Sequence, residues 1–153
     1  MTFAPTQELC NELNQLGLRN ARVLSRGVNG SLFRPSQRDN TLREAWGIAD
    51  PSTPVVLYVG RIAPEKNMEL AIAAFQAFQQ KCPQARMVIV GSGPLEAELR
   101  KKHPQLIFCG LHKGDSLARH YASADWFFFT SMTETYGNVV TEAMASGLAV
   151  LAF

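Results

Sequence analysis

The sequence predicts an α/β domain: a doubly wound parallel sheet with helices on both faces. Three observations carry that reading. Apolar runs of strand length recur at Pro54–Val59, Met87–Val90, Leu106–Cys109, Trp126–Phe129 and Leu148–Phe153. They are near-continuous rather than alternating, as expected for strands covered on both sides. Helix-length amphipathic stretches separate them, joined by short connections, which is the pattern of parallel strands linked by crossover helices.

The helices follow in order. Met68 to Lys81 places Leu70, Ala74, Ala77 and Phe78 on one side and Glu69, Gln76 and Gln80 on another. Leu95 to Lys102, Leu117 to Ala124 and Val139 to Ser146 repeat the pattern, with Gly147 as a C-terminal stop. The first fifty residues read differently. Gln7 to Leu16 predicts a helix, Arg22 to Ser25 a short strand and Thr41 to Trp46 a second helix, with a turn-rich stretch from Gly27 to Pro35. No internal repeat or low-complexity tract interrupts the order.

Bulk composition narrows the function classes. At 153 residues the chain fits one domain, a size that buries roughly 70% of its unfolded surface. A net charge of +2 gives no basic footprint for nucleic acid, though it suits a phosphorylated ligand. Cys10, Cys82 and Cys109 are scattered, with no CxxC pair, so they read as packed thiols without metal or redox work, in a cytoplasmic protein. No apolar run approaches the ~20 residues that span a bilayer. The N-terminus lacks the basic start and apolar stretch of a signal peptide.

In open parallel sheets ligands bind beyond the carboxyl ends of the strands. Three loops leave strand ends there: Gly60 to Asn67, Gly91 to Pro94, and Thr130 to Asn138. The first carries two cations, Arg61 and Lys66, at a helix start. Cations are disfavoured at that end by the helix dipole unless an anion sits between them and the amides. A solvated surface pair, with Glu65 as local counter-charge, is the plain alternative. The second loop fails the dinucleotide pattern, because Glu96 stands where a third glycine is required. Pro94 instead suits a helix start, with Gly93 as cap and Glu96 as a first-turn acid.

The third loop says most. Glu134 and Glu142 lie eight residues apart, with Gly137-Asn138 at the expected helix start between them. Free amides of Gly137, Asn138 and Val139 suit a phosphate. The flanking carboxylates, which only accept hydrogen bonds, suit sugar hydroxyls. Simple compensation of the helix dipole would explain the same acids, at a few tenths to about 1 kcal/mol each.

Together these residues resemble a known family. Glu134 through Glu142 resembles the E-x7-E signature of the retaining glycosyltransferases of family 4. Val59-Gly60-Arg61 with Glu65-Lys66-Asn67 looks like its phosphate loop, and Gly27-Val28-Asn29 with Phe33-Arg34-Pro35 like the opening of its C-terminal domain. Val90 to Leu95 and Phe108-Cys109-Gly110 match in order and spacing, so the resemblance runs from about Gln7 to Phe153. It implies the C-terminal, nucleotide-sugar-binding half of a GT-B architecture, in which two Rossmann-like domains face each other.

Carried over residue by residue, the resemblance implies that Arg61 and Lys66 contact the donor diphosphate and that Glu134 faces the sugar. Glu142 would accept the ribose hydroxyls. Gly60, Gly91, Tyr136, Gly137, Asn138 and Val139 would line the donor, and main chain around Leu111 would meet the base. It implies no metal and no cofactor beyond a GDP- or UDP-sugar donor, with GDP-mannose first. The acceptor, and any peripheral membrane contact, would belong to an N-terminal domain outside this chain. Residues 1–35 then read as a lead-in from that domain, and residues 1–153 as one donor-binding domain, incomplete at its C-terminus and inactive alone. A non-catalytic nucleotide-binding partner, or a sugar-nucleotide epimerase of the same architecture, is the alternative. Among the remaining residues, His103, His112 and His120 read as isolated, with His103 and His120 at the surface, and Trp126 to Phe129 as core strand.

Overall fold

The computed structural model describes residues 1–24, 27–131 and 137–152. Within them the elements run β1 (Thr2–Ala4), α1 (Gln7–Gln15), β2 (Ala21–Val23), α2 (Asn40–Ala45), β3 (Val55–Val59), α3 (Met68–Lys81), β4 (Arg86–Val90), α4 (Glu96–Lys102), β5 (Ile107–Gly110), α5 (Gly114–Ala122), β6 (Trp126–Phe129), α6 (Asn138–Ala145) and β7 (Ala149–Ala152). Five strands form one parallel sheet in the order β5-β4-β3-β6-β7. The doubly wound sheet that the apolar runs predict is present. Strands β1 and β2 pair parallel in a separate two-stranded unit spanned by α1. Among the described residues no helix is long and apolar enough to cross a membrane.

The sheet is buried on both faces because its strands alternate between two cores. Val55, Leu57 and Val59 of β3, with Val88, Val90 and Phe127, face Phe33, Trp46, Tyr121 and Ala143. Val56 and Tyr58, with Met87, Ile89 and Phe128, face Met68, Ile72, Phe75 and Leu99. Helices α5 and α6 therefore cover one side, and α3 and α4 the other. All five residues of β3 are buried, each aliphatic one contributing roughly 1.5–3 kcal/mol relative to exposure.

Strand order decides where a ligand can go. From β3 the chain steps outward through β4 to β5, then returns to the far side of β3 as β6 and β7. The winding reverses between β3 and β6, and the crevice beyond their carboxyl ends is the switch point where such sheets bind ligands.

Several boundaries and burial expectations need correction. The opening residues form β1, which has no apolar run to announce it. Helix α5 starts at Gly114, a turn before Leu117, and α4 starts at Glu96 with Leu95 as its N-cap. The Gly93 carbonyl accepts from the Glu96 amide at 3.1 Å, and the Glu96 carboxylate pairs with Arg100 at 2.9 Å instead of capping. Trp126 is 43% exposed. Phe78, near the end of α3, packs against its ring at a centroid distance of 6.2 Å, tilted by 50°. His103 and His120 are buried instead of lying at the surface, and His112 packs on His120, so those last two are not isolated.

Candidate functional site

The loops beyond β3, β4 and β5 are stitched together by main chain. The Gly60 amide donates to the Val90 carbonyl at 3.0 Å, Ile62 to Ser92 at 3.0 Å, Leu95 to Ile62 at 3.2 Å and Gly91 to Gly110 at 2.7 Å. This approach leaves no room for side chains at Gly91 and Gly93 of the second loop. A Cβ on Gly91 would fall 1.9 Å from the Gly60 oxygen, and one on Gly93 2.2 Å from the Ile62 oxygen. The glycines thus have a packing reason: they let the second loop lie against the first.

Within the first loop, Ile62 and Ala63 are buried and anchor a short turn at Pro64–Lys66. The Tyr58 hydroxyl donates to the Arg61 carbonyl at 3.1 Å. The Arg61 side chain projects outward, 67% exposed, with Glu65 at 3.4 Å. The counter-charge expected of Glu65 is there, but an exposed pair of this kind contributes at most about 1 kcal/mol. It leaves the guanidinium available to a stronger anion. Asn67, in the left-handed region at φ 49°, turns the chain into α3.

The loop beyond β6 is fastened to that turn across the switch point. The Thr130 hydroxyl lies 3.1 Å from both the Lys66 and Asn67 carbonyls. The Lys66 ammonium reaches the Ser131 hydroxyl at 3.0 Å. Thr130 and Ser131 are buried. Neither was marked by sequence reasoning, although both open the loop it singled out; a hydroxyl pair at a strand end is too common to stand out. Lys66 is thereby fixed between the first and third loops. Glu134 and Tyr136 lie outside the described residues.

Beyond them Gly137 caps α6 in the left-handed conformation, φ 68° and ψ 40°, with no side-chain cap. Asn138 and Val139 are its first two residues, and the first backbone bond runs from Val140 to the Gly137 carbonyl at 2.8 Å. The N-terminal amides of Gly137, Asn138 and Val139 thus stand where a helix end binds anions. Glu142, one turn further, is half-buried. Burial pushes its carboxyl above the ordinary range, and the neighbouring Tyr121 hydroxyl draws it part of the way back. Tyr121 is itself packed edge-on against Phe33, and its hydroxyl makes no bond of full hydrogen-bond geometry. Its phenol is pushed upward by burial and then by the Glu142 charge. Leu111, just past β5, has an exposed side chain.

The structure therefore gathers Gly60, Arg61, Lys66, Gly91, Leu111, Gly137, Asn138, Val139 and Glu142 along the carboxyl edge of one sheet, on elements next to or flanking the switch point. Cations, helix amides and a half-buried carboxylate share that edge. Such a set can hold a polyanion beside a hydroxyl-rich group. Among the described residues no three His, Cys, Asp or Glu side chains are placed to hold a metal ion.

Known proteins resemble this chain in sequence and in fold. Sulfoquinovosyl transferase SQD2 of Arabidopsis thaliana is 36% identical over 99% of this chain, which is 30% of its own length. A GDP-mannose-dependent alpha-mannosyltransferase of Mycobacterium tuberculosis is 38% identical over 99% of the chain and 38% of its own. The chain thus spans about a third of these curated relatives. Anabaena Alr3699/HepE, solved in complex with UDP-glucose, superposes with a TM-score of 0.76 at 25% identity, covering 98% of this chain and 43% of its own. Residues 53–153 match the family model of the glycosyl transferases group 1, and with the switch-point site in place the chain belongs to that family.

Proposed function

We infer that this chain is the donor-binding half of a retaining glycosyltransferase that moves a hexosyl group from a nucleoside diphosphate sugar. The observation that carries the reading is the fastening of the β6 loop to the β3 loop across the switch point, through Thr130 and through Lys66 to Ser131. In this reading the Arg61–Lys66 cations and the α6 amides form the two sides of one crevice. A diphosphate there meets charge from both walls.

The chemistry follows from where charge develops. As the glycosidic bond to the diphosphate breaks, negative charge grows on the leaving phosphate. Arg61, Lys66 and the Gly137–Val139 amides stabilise that charge in place, without waiting for solvent to reorganise. In this reading they do so without a metal ion. Glu142 accepts the ribose hydroxyls, Glu134 faces the sugar, Tyr136 lines its pocket, and the main chain at Leu111 meets the base. Gly60 and Gly91 keep the wall beside the donor flat. Acceptor binding, and any approach to a membrane surface, falls to sequence beyond this domain. GDP-mannose is the first donor to test, in keeping with the mannosyltransferase relative, with UDP-sugars second.

The test is calorimetric titration of the chain with GDP, UDP and ADP in metal-free buffer. We expect one nucleotide to bind, and K66A and E142A each to weaken it by at least tenfold. Unchanged affinity in both variants would remove the diphosphate and ribose roles. Nucleotide binding without any sugar transfer in the presence of acceptor and the rest of the protein would favour a non-catalytic partner.

A further inference from the structure

The loop after β5 is held by a device that donor binding as described above does not account for. The His112 Nε2 lies 3.1 Å from the Cys109 carbonyl. A carbonyl only accepts, so that nitrogen carries the proton. The other ring nitrogen, Nδ1, lies 2.8 Å from the Ser116 hydroxyl, which can donate to it or accept from it. Behind it the His120 ring lies 4.1 Å away by centroid, tilted 31°. His120 donates from Nδ1 to the Ser116 carbonyl at 2.7 Å, and Trp46 closes the stack at 5.7 Å.

The position of this clamp is what gives it a consequence. Its ends, Cys109 and His112, bracket Gly110 and Leu111, and the Gly110 carbonyl is tied from the other side by the Gly91 amide at 2.7 Å. The intervening peptide is therefore fixed from both directions while the Leu111 side chain stays exposed.

We propose that His112 is a positioning residue for the nucleotide base: its ring, clamped between Cys109 and Ser116, presents the Leu111 main chain in a fixed orientation to the hydrogen-bonding edge of a purine or pyrimidine. This rests on the donor-site reading above.

The experiment is titration of the chain with GDP, UDP and ADP for the wild type, H112A and H112Q. H112A should weaken the preferred nucleotide by about three- to tenfold, the worth of one hydrogen bond, and narrow its advantage over the other two. Glutamine keeps a donor and an acceptor, so H112Q should restore both affinity and selectivity. Wild-type affinity and selectivity in H112A, alongside weakened K66A and E142A, would overturn the clamp and leave the donor site standing. Wild-type binding in K66A and E142A would instead sink the donor-site reading, and this inference with it. Should H112A not fold, S116A, which removes one of the two bonds, decides: wild-type affinity and selectivity there refute the proposal.

Discussion

The two edges of the sheet handle positive charge in opposite ways. At the amino edge Arg43 is 2% exposed. Its guanidinium donates to the Ser123 carbonyl at 2.8 Å and the Thr53 carbonyl at 2.7 Å, with Asp125 at 3.5 Å. Asp125 also takes Arg38 at 3.0 Å and the Val55 amide at 2.9 Å. That cluster fastens α2, the start of β3 and the turn before β6 to one another. At the carboxyl edge Arg61 points to water and meets one carboxylate at 3.4 Å. The first arrangement spends its charge on the fold. The second holds a cation where an anion can reach it, on a loop whose backbone is locked.

The sharpest way to break the comparison is R43A. Removing the guanidinium leaves the buried Ser123 and Thr53 carbonyls without that donor and takes one of two cations from Asp125, and we expect a loss of about 3–5 kcal/mol in urea unfolding. R61A should change stability by less than about 0.5 kcal/mol, as for an exposed surface residue. If the two variants unfold alike, the division between a structural and a ligand-facing edge is wrong.

A smaller effect isolates the locked backbone from the charges on it. G91A forces a Cβ into the Gly60 oxygen, at a position whose φ of 141° already disfavours side chains. The first and second loops must separate. We expect a destabilisation of about 1–3 kcal/mol, together with weaker nucleotide binding although no charge has changed. Wild-type calorimetric affinity in a folded G91A would show that the contact between loops matters to packing alone.

What the sequence revealed of this site follows from where each signal lies along the chain. Strand β3 and its partners were legible because both faces are buried, so apolar residues run without a break. The convergence of the loops followed from parallel strands alone. The fastening of Lys66 to Ser131 did not, because it joins residues 65 apart whose meeting depends on β6 lying beside β3, and strand order is not written in periodicity. The pairing of His112 with His120 escaped notice for a local reason. They are eight residues apart with the start of α5 between them, and only the fold of that loop brings the rings together. Strand β1 is three residues long and reads as a strand only through its pairing with β2.

The smallest expected effect tests the site from the side of stability. Burial raises the Glu142 carboxyl above its ordinary value, so the folded chain holds that proton to higher pH than the unfolded chain does. Through that window unfolding releases a proton, and stability falls as pH rises; above it the cost persists undiminished. At neutral pH Glu142 is thus a small burden on the fold. E142Q removes the buried charge while keeping the shape. Because the side chain is half in water, screening limits the gain. We expect a rise in Tm of no more than about 2–4 °C at neutral pH, the shift that about 1 kcal/mol produces at this length. The gain should shrink to nothing in acid, where the wild-type carboxyl is protonated in both states. The same variant should bind nucleotide more weakly, since an amide accepts ribose hydroxyls less well than a carboxylate does. A residue that costs stability and supports binding is placed for the ligand. An E142Q variant that is less stable, yet binds as the wild type does, would make Glu142 a helix residue of the fold and move the ribose contact elsewhere.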